Sequence, residues 1–148
     1  MTWQRCLSGN AVQWHRTSKQ ELEDLRAVIE RDIWDAGLTG LSADRSFATS
    51  YNAALQTAKM TTARAGYRVV ARKGHHQVVF EPAELAPGPS VSKLIAYFDT
   101  CRRKRNTLDY GVANVVSDTE AAELLQKAQE FKQHAEAWIA TQYSTLAT

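Results

Sequence analysis

Proline and glycine are scarce in this chain, and they sit in the wrong places for a β-fold. Its 148 residues include three prolines, all between positions 82 and 89, and seven glycines that fall at candidate breaks. A sandwich or barrel needs turn residues about every eight to twelve positions, so both are excluded and long helices are favoured. Two cysteines, Cys6 and Cys101, are too few for a disulfide framework or a metal knuckle. A reduced, cytoplasmic setting is therefore expected. No apolar run approaches about 18 residues, so no segment is expected to span a membrane. The opening MTWQRCLSGN lacks the apolar stretch of a secretory signal. A strong charge of one sign is also missing: 18 basic against 16 acidic side chains leave +2. That total does not define a nucleic-acid binder, although local clustering can outweigh it. What is abundant is alanine, with 22 residues. The length suits one domain with a real core.

The first 17 residues carry Trp3, Trp14, His15 and Arg16 and read as an irregular arm. Ser18 and Glu21 then form a capping-box pattern, in which each side chain reaches the other's free backbone N–H. Leu22, Leu25, Ile29 and Ile33 follow at helical spacing, with Gly37 as the stop. A second helix starts after Ser42, with Asp44 placed for the helix dipole, and runs through Phe47, Tyr51, Leu55 and Ala58 towards Gly66. In the stretch YRVVARKGHHQVVFEPAELAPGPS, VVA and QVVF have strand character, but two such pieces alone make no stable sheet. The expectation there is a loop, a short helix near 75–85, and a second loop through Pro87, Gly88, Pro89 and Ser90. A third long helix is predicted over 91–109, with Leu94, Phe98 and Cys101 on its apolar stripe. Ser117 and Glu120 repeat the capping box before a last helix carrying Leu124, Ala128, Phe131, Ala135, Trp138 and Ile139. The prediction is an all-α, up-and-down bundle of four to five helices over 18–143, with an arm at 1–17 and a tail at 144–148.

One segment breaks this pattern: Arg102-Arg103-Lys104-Arg105-Asn106-Thr107-Leu108-Asp109-Tyr110. Advancing about 100° per residue from Leu94 puts Phe98 near 40°, Cys101 near 340°, Arg105 near 20° and Asp109 near 60°. Arg105 and Asp109 thus face the core side one turn apart, Arg103 and Lys104 face away, and Arg102 sits at the boundary. An inward arginine must be paired or must line a cleft, because an isolated buried charge is too costly. Two readings stay open. One is an Arg105–Asp109 pair closing the end of the bundle. The other is a functional arginine in a groove, held by Asp109 or Asn106.

The segment RRKRNTLDY follows a helix with YNAALQTAKM and a loop with GHH, and it precedes EAAELLQKAQEFKQHAEAWI. In this order and spacing, over about residues 44–140, the chain resembles the HEPN-domain family. That resemblance implies a four- to five-helix bundle, commonly a homodimer and often encoded beside a minimal nucleotidyltransferase, as in toxin–antitoxin systems. Active members are metal-independent ribonucleases whose signature is an arginine, four to six residues, then a histidine. Two such signatures meet across the dimer. Carried over, the arginine is Arg105, the polar residue after it is Asn106, and the histidine position is Tyr110.

That last departure has chemical consequences. Metal-free RNA cleavage needs the 2′-OH deprotonated and the leaving oxygen protonated. A histidine near pKa 6.5 can do both, whereas a tyrosine near 10 is a poor base at neutral pH. An arginine still binds phosphate bidentately without any cleavage. The resemblance therefore implies binding of RNA phosphate or a nucleotide, or a partner-interaction module, with an Arg105-based endoribonuclease as the alternative. His75 and His76 are candidates to face the groove together with Arg102; the competing reading is a surface or packing pair. Tyr110 is either an ordinary helix-end tyrosine or a target for modification by a nucleotidyltransferase-like partner. His134 is expected in solvent. No ligand spacing suits zinc, and no cofactor is expected. Some of the four tryptophans are expected in a dimer interface.

Overall fold

In a computed structural model of the chain, the described residues are 1–70, 75–109, 111 and 113–142, with the backbone alone described at 75–78 and 109. The protein is mostly helical. Its elements are α1 (Trp3–Ser8), β1 (Val12–Trp14), α2 (Lys19–Ala36), α3 (Ala43–Arg64), β2 (Tyr67–Val69), α4 (His75–Ala83), a 3-10 turn (Gly88–Val91), α5 (Ser92–Asp109) and α6 (Asp118–Ala140). Among the described residues, no helix is long and apolar enough to cross a membrane.

Side-chain contacts set the helix directions. The Ser46 hydroxyl donates to the Ala36 carbonyl at 2.8 Å, joining the start of α3 to the end of α2. Leu22 at the start of α2 packs in one cluster with Met60 and Ala63 of α3 and with Ala135 and Ile139 of α6. Arg26 makes a two-pronged ion pair to Glu136, at 2.7 and 3.0 Å. Helices α3 and α6 therefore run parallel, and α2 runs against both. Lys104 of α5 pairs with Glu120 at the start of α6, so α5 also runs opposite to α6.

Helix α3 is central, with thirteen of its 22 residues buried. Ala53, Ala54 and Ala58 are fully buried and let neighbouring helices approach closely. The hydroxyls of Thr57 and Thr62 back-bond to the carbonyls of Ala53 and Ala58 at 2.8 and 2.9 Å, so burying them strands no polar group. Around its middle, Tyr51, Phe80, Phe98 and Phe131 form the main core, with Phe80 and Phe98 stacked at 5.3 Å. A buried carboxylate, Asp32 of α2, accepts from the Asn52 amide of α3 at 2.6 Å and from Arg31 at 3.1 Å, linking the two helices.

The N-terminal segment departs from the irregular arm expected. Helix α1 packs beside an antiparallel ribbon in which Val12, Gln13 and Trp14 pair with Val69, Arg68 and Tyr67. Two three-residue strands are weak alone. Here Tyr67 stacks on both Trp3, at 4.3 Å, and Trp14, at 4.9 Å, and the triple stack supplies what the short ladder lacks. QVVF, by contrast, is helical within α4 as predicted.

Capping follows the sequence at three starts. Ser18, Ser42 and Ser117 each accept an N–H from the third residue of the following helix. The full reciprocal box forms only at Ser117 and Glu120. At the start of α2 the second half is diverted: Glu21 accepts instead from Thr17 at 2.6 Å and pairs with His15 at 2.8 Å. Burial would raise the Glu21 carboxyl, but the bonds from Thr17 and His15 outweigh it and hold it below the ordinary value. A carboxylate lowered in this way adds stability above its unfolded pKa of about 4.3 and loses it as pH falls through the folded value. Glu21→Gln is therefore expected to flatten the acid limb of stability below about pH 4.5, read as urea midpoints across pH. Parallel acid limbs in wild type and variant would refute the clamp.

Candidate functional site

Helix α5 delivers its basic run in four different directions. Leu94, Phe98 and Cys101 are buried, as the apolar stripe requires. Arg102 is half-buried and approaches Asp99 one turn earlier, at 3.4 Å. Arg103 is exposed. Lys104, expected to face away, instead pairs with Glu120, because the N-terminus of α6 crosses that side of α5. Arg105 is half-buried and enters a groove.

That groove holds about 500 Å³ and is built where α5 ends, α3 begins and the chain at 113–116 returns towards α6. Its lining includes Ser42, Arg45, Ala48, Arg105, Leu108 and Asn114. Ala48 leaves the space a larger side chain would fill. Asp44 also lies in the wall, but its carboxylate is committed to the turn: it accepts the backbone N–H groups of Asn114, Val115 and Val116 at 2.5, 3.2 and 3.1 Å. The turn needs left-handed backbone at Gly111 (φ 81°) and Asn114 (φ 61°), residue types that tolerate it. Three N–H bonds spread the Asp44 charge over the peptide backbone. Arg45 is exposed, and among the described residues no carboxylate pairs with it. Two guanidinium groups thus share one groove at the positive end of a 22-residue helix.

Beneath this groove Tyr51 is buried in the core. Burial pushes its phenol up, against the opposing pull of Arg102 and Arg105, which places both guanidinium groups within electrostatic reach of the ring oxygen. Cys101 is equally unsuited to neutral-pH nucleophilic chemistry, its thiol being pushed up to about 11 by burial.

Of the candidate residues, Arg105 lines the groove. Arg102 pairs with Asp99. Asn106 is half-buried on α5 but is not among the groove's lining residues. His75 and His76 open α4, and Asp109 ends α5; their side chains lie outside the described residues, as does Tyr110. His15 is engaged with Glu21, and His134 is exposed on α6. No group of three or more histidine, cysteine or acidic side chains suited to a metal ion occurs among the described residues. Sequence reasoning missed Arg45 and the Asp44 clamp. Asp44 carried a local signal, its place in the first turn of a helix, but nothing local announces a turn some seventy residues away.

Asp44→Ala is expected to cost about 1–3 kcal/mol, by leaving backbone donors without their acceptor. It should also speed amide hydrogen exchange at Asn114, Val115 and Val116. Unchanged protection at those three amides would show that the clamp does not hold the turn. Compared with family models, curated proteins and solved structures, the chain finds no match.

Proposed function

We propose that the Arg105 groove binds the phosphate of RNA or of a nucleotide without cleaving it, in a HEPN-like helical bundle that works as a homodimer. The observation that carries this reading is that Arg45 and Arg105 line one open groove at the N-terminus of α3. A phosphate placed there meets two planar cationic forks and the positive end of a helix. Asp44, the acidic residue in the same wall, has its carboxylate oxygens turned to three backbone N–H groups. Among the described side chains, no histidine lines the groove. The groove thus has groups that hold phosphate, while proton transfer at neutral pH calls for a group of different pKa.

The resemblance over residues 44–140 supports the same reading, with a nucleotidyltransferase-like protein as partner in a toxin–antitoxin-type system and Tyr110 as the residue such a partner modifies. The homodimer has separate support. Trp34 and Leu38 stand 74% and 50% exposed at the end of α2. Beside them a cleft lined by Leu38, Leu41, Arg45 and Ala48 shares its last two residues with the Arg105 groove. A second copy covering this face would bury the indole and close one side of the groove.

Calorimetry with a short single-stranded RNA is expected to give salt-dependent binding that weakens about tenfold in Arg105→Ala, the loss of one charge-assisted contact. The RNA should remain intact with chelator present. Cleavage in chelator that disappears in Arg105→Ala would replace this reading with the metal-independent endoribonuclease. Binding equal in wild type and Arg105→Ala would remove the groove from the function altogether.

Light scattering is expected to show a dimer at micromolar concentration and a monomer for Trp34→Arg. A wild-type monomer would count against the shared face.

A further inference from the structure

A second concave site lies at the other end of α3. Lys59 is fourteen positions from Arg45, which puts it about 20 Å away along the helix. The cavity holds about 290 Å³ and sits between the N-terminal ribbon, the first turns of α2 and the C-terminal half of α3. Its walls are apolar: Leu25, Ala63, Val69 and Val79. Its polar groups are Lys59, Arg68 and the His15–Glu21 pair. A mostly apolar cavity with a few convergent polar groups is the usual form of a small-molecule site, and this volume lies just below the usual range of about 300–1,000 Å³, which suits a small ligand.

The charges in the cavity differ in availability. Glu21 is committed, accepting from Thr17 and pairing with His15 at 2.8 and 3.0 Å. Lys59 is half-buried, and among the described residues no carboxylate pairs with it. Arg68 stands opposite Gln13 in the ribbon, whose side-chain oxygen accepts from its guanidinium, and adds a second cation at the rim. The walls are held in place by the Trp3–Tyr67–Trp14 stack and by the His15 N–H bond to the Gly66 carbonyl at 2.9 Å. A ligand therefore meets a formed cavity and spends little on ordering it.

We infer that this cavity binds a small aromatic or branched-chain carboxylate, its charge between Lys59 and Arg68 and its apolar body against Leu25, Ala63 and Val79. The fixed negative charge of Glu21 on the same rim selects a monoanion over a dianionic phosphate. The apolar walls select against a small hydrophilic acid.

Phenylacetate titrated into the full chain and followed by amide NMR tests this, with phenylethanol and phenyl phosphate as the neutral and dianionic counterparts. Saturable shifts are expected at Thr62, Ala63 and Val69. Phenylethanol and phenyl phosphate should each bind about tenfold more weakly, and Lys59→Met and the exposed Arg68→Gln should each weaken phenylacetate by a similar factor. Arg105→Ala should leave phenylacetate binding unchanged, so this site and the phosphate groove stand or fall separately. Absence of saturable shifts would overturn the inference. So would equal binding of phenylethanol, tighter binding of phenyl phosphate, or wild-type affinity in both variants.

Discussion

A helix enclosed by other helices must bury its own polar groups without stranding them, and α3 does so at Ser46, Thr57, Thr61 and Thr62. It packs against α2 and α6 along its length and against α4 and α5 over its middle. Its small residues, Ala53, Ala54 and Ala58, set how closely those neighbours come. The hydroxyls of Ser46, Thr57, Thr61 and Thr62 turn back onto carbonyls, within α3 or at the end of α2, while the buried Ser50 hydroxyl finds no partner among the described residues. The alternative, larger apolar residues at these positions, would push the surrounding helices apart and overpack the core. Because the middle of α3 is largely closed in this way, with Asn52 and Gln56 half-exposed, the two concave sites lie towards its ends. The Arg105 groove lies at the first end and the Lys59 cavity at the second.

The same constraint explains why the basic run of α5 does not behave as one patch. Arg102 and Lys104 are drawn into ion pairs with Asp99 and Glu120. Surface pairs of this kind contribute little stability, typically 0–1 kcal/mol, but they remove two charges from the local field. Arg103 is exposed, and Arg105 turns into the groove, where Arg45 meets it from another helix. Asp44 decides whether this is a groove or a collapsed loop end. By taking three backbone N–H groups it fixes the 113–116 turn against α3, and it does so while spreading its own negative charge over peptide dipoles.

Much of the helical frame was legible because its signals are local. Periodic apolar residues and the serines at 18, 42 and 117 give the starts and faces of α2, α3 and α6, and each serine does accept the expected N–H. The inward turn of Arg105 was legible for the same reason, since a wheel needs only the rise and twist of one helix. What failed depends on contacts distant in sequence. The β1–β2 ribbon joins residues 55 or so apart and rests on an aromatic stack, so neither three-residue strand carries its own evidence. Lys104 is outward on its own helix yet meets Glu120, because α6 passes there. Glu21 has the spacing of a capping box, but His15 and Thr17 compete for it and win. Arg45 reads from sequence as one more surface arginine in the first turn of a helix. Only the return of the chain at Asn114 turns it into a groove wall.

The placement of titratable groups bears on what the groove can do. Cleaving RNA without a metal requires a base for the 2′-OH and an acid for the leaving oxygen. Arginine is protonated at every accessible pH and serves neither as a base nor, at neutral pH, as an acid. Of the other described groups nearby, Tyr51 is buried with its phenol pushed up, and Asp44 is engaged with backbone. His15 is bound to Glu21 at the far end of α3, and His134 faces solvent on α6. Among the described side chains, the two guanidinium groups of the groove and the histidines His15 and His134 thus lie on different parts of the bundle. Holding a phosphate, which is what we propose for the groove, asks only for guanidinium forks and a helix N-terminus, whereas breaking its ester would ask for a proton carrier as well.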